Sequence, residues 1–562
     1  MNSFQRQTIG HLTEFVEQNV LADDAARVLG ITREQGAFTG GQAPNVTLAM
    51  ALVADPAWGG HPEADRIRAL AADLVDEWHR AQFRFIEYGD VIYSFLIICL
   101  APACERLLPY VAESRRKRWL ADIRKVAEAA ERFLLQKERA WGKPGPWTGC
   151  GPNHLFLTTA SLYRLGGLLG EDRFRRLARR AMRTLVEMQA DEGYFPESVG
   201  PVVGYHQLSL FGVSDYYAAS GDEAVRPAIE KGIDFLLRAH YPDVTPIMAL
   251  DQRQRPNRRP GKLAGGGGGY DLSLTATAEG RRFAQLMLDR YTRRVARAAG
   301  YRPYFLAGLA ALGALNHPGG RAVRELRCER AARIERFDGK AGVIQRDGWC
   351  VTLAGYHDSR RPGNPYILDR CQNVAVFHES CGLVIGGGND KHNFESATFE
   401  VREADTCYYF PSIDEQARIS SDRGVLDLDY GAARARLAVN IVSREVVELV
   451  AGVETNFGEQ RNRFNLQVPV GPGAGLRIDG EDVRLRKRKS EKVWPVRRSL
   501  ELPGLAAIEV PCEAEFCWPY LPWNPYNAPT YESPIENAVG FLRVPLSGLV
   551  LEERTVRVRV LT

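Results

Sequence analysis

The chain has 562 residues, too many for one hydrophobic core at roughly 100–200 residues per domain, so two large domains are expected. Hydrophobic residues make up 45% and charged residues 25%, which excludes global disorder, a collagen and a coiled coil. A formal charge of +4 is too small to argue for nucleic acid and suits an acidic small molecule or glycan.

The N-terminal stretch MNSFQRQTIGHLTEF is polar and has no apolar signal core, so a cytoplasmic location is expected, with periplasm or secretion open to a processed chain. Helical patterns begin near residues 11–29. Ile67, Leu70, Leu74 and Trp78 then recur at helical spacing. The longest apolar run, Val91 to Ala103, falls short of the ~20 residues of a membrane span. Further periodic segments lie near 94–111, 113–136 and 154–168. Phe174, Leu177, Ala181, Leu185 and Met188 form one dry face, and Arg175, Arg176, Arg179, Arg180 and Arg183 form the opposite, solvated one. Val225, Ile229, Ile233 and Leu236 follow the same rule, and the segments 275–297 and 301–315 continue it. About ten helices without intervening strands, joined by Gly- and Pro-rich loops, predict a toroid of α-hairpins over residues 1–325.

Beyond that point the period falls to two. Ala435, Leu437, Val439 and Ile441 alternate with Arg436, Ala438 and Asn440, and Val556, Val558 and Val560 alternate with Arg557 and Arg559. Residues 326–562 are therefore predicted as an antiparallel β-sandwich, giving an α+β multidomain chain. The basic run Arg484 to Lys492 reads as a solvated hairpin. No GxGxxG, Walker loop or HExxH occurs. The ten cysteines make no CxxC or zinc-knuckle spacing, which fits free buried thiols.

Polar and aromatic residues crowd into a few loops. Trp147 to His154 precedes a helix. Asn153 there suits an N-cap or a functional role beside His154, and Trp147 a sugar-stacking platform or a structural indole. The segment Gly193 to His206 is shaped by glycine and proline and is expected to expose Glu197, Tyr205 and His206 near a helix mouth. In the β half, Arg370 to Asn373 leads into a strand ending at His378, with His357 upstream and His392 downstream. Three histidines within 36 residues could hold a metal, but none has helix i, i+4 spacing and no acid is shared. Asp251 to Arg255, with Arg253, precedes a run of five glycines, and Tyr270 follows it. This is either a solvated charge run or a basic rim for an anionic substrate.

The order of these parts resembles the heparinase II/III-like and alginate-lyase-like polysaccharide lyases. It comprises a helical toroid, an Asn153-His154 pair, a Gly204-Tyr205-His206 motif about fifty residues later, and His378 in a β domain. The stretch Leu368-Asp369-Arg370 through Phe377-His378-Glu379 to Gly386-Gly387-Gly388-Asn389 is similar to that superfamily in style. The resemblance implies that Asn153 and His154 bind the substrate carboxylate, that Tyr205 moves a proton and that His378 completes the site. Trp147, Glu197, His206, Arg253, Tyr270, His357 and Arg370 are then substrate-binding candidates, with His206 and His357 as reserves for Tyr205 and His378. Asn389-Asp390-Lys391-His392 departs from the family's glycine-histidine-aspartate strand, so a structural divalent metal is unsupported. No cofactor is required.

The implied reaction is β-elimination at a uronate, with glucuronate slightly preferred. Its obstacle is the second negative charge that C5 deprotonation places on the carboxylate, which facing donors must stabilise. The expected partner is an acidic oligo- or polysaccharide, without nucleic acid or membrane; a homodimer is compatible with the sequence. Two other readings stay open. A glycoside hydrolase would use paired carboxylates from among Glu87, Asp90, Glu197 and Asp215. A non-catalytic glycan binder would use Trp147, Trp349 and Trp518 as platforms.

Overall fold

The computed structural model describes residues 1–22, 43–86, 97–141, 151–197, 200–251, 270–295, 302–356, 372–386, 397–403, 406–408, 412–431, 433–455, 461–488, 490–521, 533–547 and 551–561. The chain divides into two units. One holds Met1–Pro196, Tyr205–Asp234 and Gly266–Leu326, and the other holds Glu197–Gly204, Phe235–Gly265 and Arg327–Thr562. The switch near residue 326 is where the sequence period changes. The segments 197–204 and 235–265, expected within the helical domain, belong to the second unit.

Eleven α-helices are described: α1 (Ser3–Val16), α2 (Ala43–Ala54), α3 (Ala64–Ile86), α4 (Leu100–Leu107), α5 (Glu113–Gln136), α6 (Pro152–Leu169), α7 (Asp172–Leu185), α8 (Val203–Ser220), α9 (Arg226–Arg238), α10 (Ala278–Val295) and α11 (Arg302–Asn316). Two kinds alternate. α7 is amphipathic: Phe174, Ala178, Ala181, Met182 and Leu185 are buried, Asp172 opens its first turn and Arg183 lies in its last, matching the helix dipole. α2 has all its residues buried, and α6 buries most of its length. Helices dry over most of their surface form an inner layer. α2 packs on α4, α4 on α6 and α11 on α2. A Cβ on Gly212 of α8 would come within 2.8 Å of the Phe156 backbone of α6. Asn316 of α11 donates to Asp215 of α8 at 2.8 Å. Among the described residues these contacts link five helices, α2, α4, α6, α8 and α11, into an inner ring.

The N-terminus seals the ring. Asn2 caps α1 and its amide lies 3.0 Å from His317 Nδ1, Gln5 donates to the Ala314 carbonyl at 3.0 Å, and Gln7 donates to Asp289 at 3.0 Å. Among the described residues no helix is long and apolar enough to cross a membrane.

Among the described residues the second unit carries three sheets, and their strand pairs are antiparallel throughout the described registers. The first is a five-stranded meander in chain order: β1 (Arg333–Phe337), β2 (Ala341–Arg346), β3 (Trp349–Ala354), β4 (Val374–His378) and β5 (Gly382–Ile385). The others have nine and six strands and share a core with it. Period-two alternation decides what faces what. Val374 and Val376 of β4 enter the shared core with Trp349, Val351 and Leu353 of β3. Phe377 points to the other face, where Tyr241 stacks on it at 4.8 Å. The Arg333 guanidinium donates to the carbonyls of Leu237, Arg238 and His240, satisfying the orphan carbonyls at the C-terminus of α9.

Candidate active site

α6 and α8 position the first candidates. Gly151 is the N-cap of α6, Pro152 is its first residue, and Gly170 ends it in the left-handed region at φ +68°. Asn153 is therefore one residue inside the helix and buried, so the capping reading of this residue is corrected. His154 keeps partial exposure, as does Tyr205 in the first turn of α8.

The two helices run parallel. Phe156 of α6 meets Gly212 of α8, and further along Arg164 of α6 grips Asp215 of α8 through two hydrogen bonds of 2.9 and 2.7 Å. Residue numbers rise together in the two contacts, which antiparallel helices cannot do. At 1.5 Å per residue, Asn153 lies about 4.5 Å and Tyr205 about 10.5 Å towards the N-termini from the Phe156–Gly212 contact. Axes of packed helices are about 8–10 Å apart. Asn153, His154 and Tyr205 thus share one end of the inner ring, while Arg164, Asp215 and Asn316 knit its other part.

His206, one residue on from Tyr205, does different work. Its Nδ1 accepts from the Phe195 N–H at 3.0 Å and its Nε2 lies 2.9 Å from the Gly232 carbonyl, so the ring is an Nε2–H tautomer with both nitrogens engaged. It is fully buried, and burial pushes its pKa down to about 4. The expectation that His206 binds substrate or substitutes for Tyr205 is corrected: it is a neutral staple. Glu197 is likewise buried rather than presented to solvent. In the second unit Asp251, also buried, accepts from the Gly204 N–H at 2.9 Å and satisfies a first-turn donor of α8.

His378 is corrected too. Alternation along β4 puts it on the Val374 and Val376 face, turned towards the shared core. It is buried, lies edge-on to Trp349 with centroids 4.5 Å apart, and its Nδ1 is 2.8 Å from the Ser380 hydroxyl. Burial lowers its pKa. Trp349 and Trp518 are not platforms: both are fully buried, and their indole N–H groups donate to the carbonyls of Ser443 and Arg486. Trp147, Arg253, His357 and Arg370 lie outside the described residues, as do Glu87 and Asp90. Tyr270 opens a short 3₁₀ turn, Tyr270–Ser273. Among the described residues no group of three or more His, Cys, Asp or Glu could hold a metal ion.

The Arg164–Asp215 pair was missed, although an arginine inside the apolar stretch of α6 signals a buried counter-charge. Asp251 had no such signal, because its partner lies 47 residues away along the chain.

No family model matches the chain, and no curated protein matches it in sequence. In structure it is similar to the chondroitin AC lyase of Streptomyces coelicolor A3, solved in complex with chondroitin sulphate. The TM-score is 0.58 at 12% identity, over 98% of this chain and 79% of that one. It is also similar to heparinase III, with a TM-score of 0.53 at 12% identity, over 98% of this chain and 91% of that one. The chain has the fold these polysaccharide lyases share, an α/α toroid plus an antiparallel β-sandwich.

Proposed function

We propose that this chain is a polysaccharide lyase that cleaves a uronic-acid-containing glycan, with glucuronate preferred, by β-elimination. The observation that carries the reading is the parallel course of α6 and α8, which brings Asn153, His154 and Tyr205 to one end of the inner ring. The Asn153 amide faces the uronate carboxylate and stabilises the charge that builds there as C5 loses its proton. His154 takes the part of the base and Tyr205 that of the acid. The C5–H electron pair becomes the C4–C5 double bond, the C4–O4 bond breaks, and the Tyr205 proton goes to the departing oxygen.

The hydrolase alternative loses support at Asp215. Its carboxylate is fully buried and held by Arg164 and Asn316, away from water.

The test is a panel of uronate glycans followed by the ultraviolet absorbance of the unsaturated product. Absorbance that rises with chain cleavage is expected, and Tyr205→Phe should lower turnover by ~10²–10⁴-fold while the fold is retained. Silence across the panel together with reducing ends released from neutral glycans would overturn the proposal.

A further inference from the structure

The positive charge of this protein is concentrated. Residues 484–498 hold eight basic side chains and one acid, Glu491, for a net +7, so the rest of the +4 chain sums to −3. This run is not one hairpin, as the sequence suggested. Strand Glu481–Arg484 is the edge of the nine-stranded sheet, strand Lys492–Val496 is the edge of the six-stranded sheet, and the basic segment crosses between them.

Three features separate this segment from an ordinary solvated surface. Elsewhere on the β unit, arginines are matched by acids on neighbouring strands: Arg436 by Asp427, Arg557 by Glu448 and Arg559 by Glu509, at 2.8–3.0 Å. Within the segment Lys487 pairs with Glu536 at 2.6 Å and Arg497 with Glu513 at 3.2 Å, and Lys492 lies over the Trp494 ring at 4.6 Å, but among the described residues Arg484, Arg486 and Lys492 have no carboxylate in ion-pair reach, and all three are exposed. The main chain beneath them is pinned. Leu485 is fully buried, the Arg486 carbonyl accepts from the buried Trp518 indole at 3.0 Å, and the N–H groups of Arg497 and Arg498 donate to Asp479 at 2.8 and 2.7 Å. Guarding the two sheet edges accounts for Arg484 and Lys492, one on each edge strand, but not for Arg486, Lys487 and Arg488 between them.

We propose that Arg484, Arg486 and Lys492, with the basic side chains around them, form an accessory binding surface for the acidic glycan chain, separate from the residues that carry out the elimination. The eight residue steps from Arg484 to Lys492 can span at most about 27 Å, enough to meet several sugars of one chain. Guanidinium groups match carboxylates through paired hydrogen bonds. A platform whose backbone is already fixed loses little further freedom on binding. The choice of a uronate glycan over another polyanion rests on the function proposed above.

The test compares the full-length protein with the Arg484→Glu/Arg486→Glu/Lys492→Glu variant, and with a milder variant carrying Gln at all three positions. The wild type should bind immobilised hyaluronan, a glucuronate polymer, with an affinity that falls as salt rises. The Glu variant should lose at least tenfold in affinity and most of the salt dependence, and the Gln variant should fall between. Turnover of short uronate oligosaccharides should not change. Equal hyaluronan binding by all three proteins would overturn the proposal, as would tighter binding of single-stranded DNA than of hyaluronan at matched charge and salt. Binding needs no turnover, so the two readings fail separately. An inactive protein that binds through this surface sinks only the lyase reading, and an active one whose variants bind unchanged sinks only this one.

Discussion

Arg164 and Asp215 join two parallel helices through a two-pronged ion pair in which the carboxylate is fully buried and Asn316 supplies a third helix's contact. Such a pair is weak evidence for net stability but costly to break from one side. Arg164→Met alone should destabilise the protein by about 3–5 kcal/mol, read as a lower denaturant midpoint. Arg164→Met with Asp215→Leu should recover much of that loss. A single variant as stable as the double one would show that the charge is not stranded.

Gly212 sets how closely α6 and α8 approach. An added methyl would meet the Phe156 backbone at 2.8 Å, and backbone cannot swing aside as a side chain can. Gly212→Ala should cost about 1–3 kcal/mol. If Asn153 and Tyr205 act together, it should also depress turnover at temperatures where the fold is intact. Calorimetry beside steady-state kinetics separates the two effects, and an unchanged melting temperature would contradict the close approach.

His206 makes the fold sensitive to acid. Its folded pKa is lowered to about 4 by burial, while the unfolded chain takes up a proton near 6.5. Its contribution is therefore complete above about pH 6.5 and is lost as the pH falls towards 4. Urea unfolding at a series of pH values should show stability declining through that window. His206→Gln should be less stable at neutral pH and show a shallower acid slope; an identical slope would mean the decline comes from other groups.

His378 should be dispensable for chemistry. His378→Gln is expected to lower stability through its packing on Trp349 while leaving turnover within about threefold of wild type, well short of the ~10²-fold loss that marks a removed acid or base. A loss of that larger size in a well-folded variant would return His378 to the site.

The two halves were legible because their outward elements are half-wet. α7 shows its period since Phe174 and Ala181 face the core while Arg175 and Arg179 face water, and the strand Ala433–Ile441 alternates for the same reason. The inner helices were harder to read. In α2 every side is buried, so no face stands out, and polar residues such as Asn45 and Thr47 sit among the apolar ones. Residues 197–204 and 235–251 could not be assigned to the second unit, since their partners, such as Tyr356 against Gly200 and Phe377 against Tyr241, are distant in sequence. His378 could have been placed correctly: counting in twos from Val374 and Val376 puts it towards the core. The staple at His206 could not, because a backbone N–H from Phe195 leaves no trace in composition.

The contacts of Asn2, Gln5 and Gln7 with His317, Ala314 and Asp289 impose an order on biosynthesis. The apolar face of α1 leaves the ribosome well ahead of its partners in α10 and α11, which follow almost 300 residues later, an interval of about 15–60 s at 5–20 residues per second. During that wait the face that carries Phe4, Leu12 and Phe15 has only α2, among the described helices it packs on, to cover part of it. The nascent chain must carry this half-covered face until α10 and α11 arrive, so α1 is among the last helices of the unit to be fully secured.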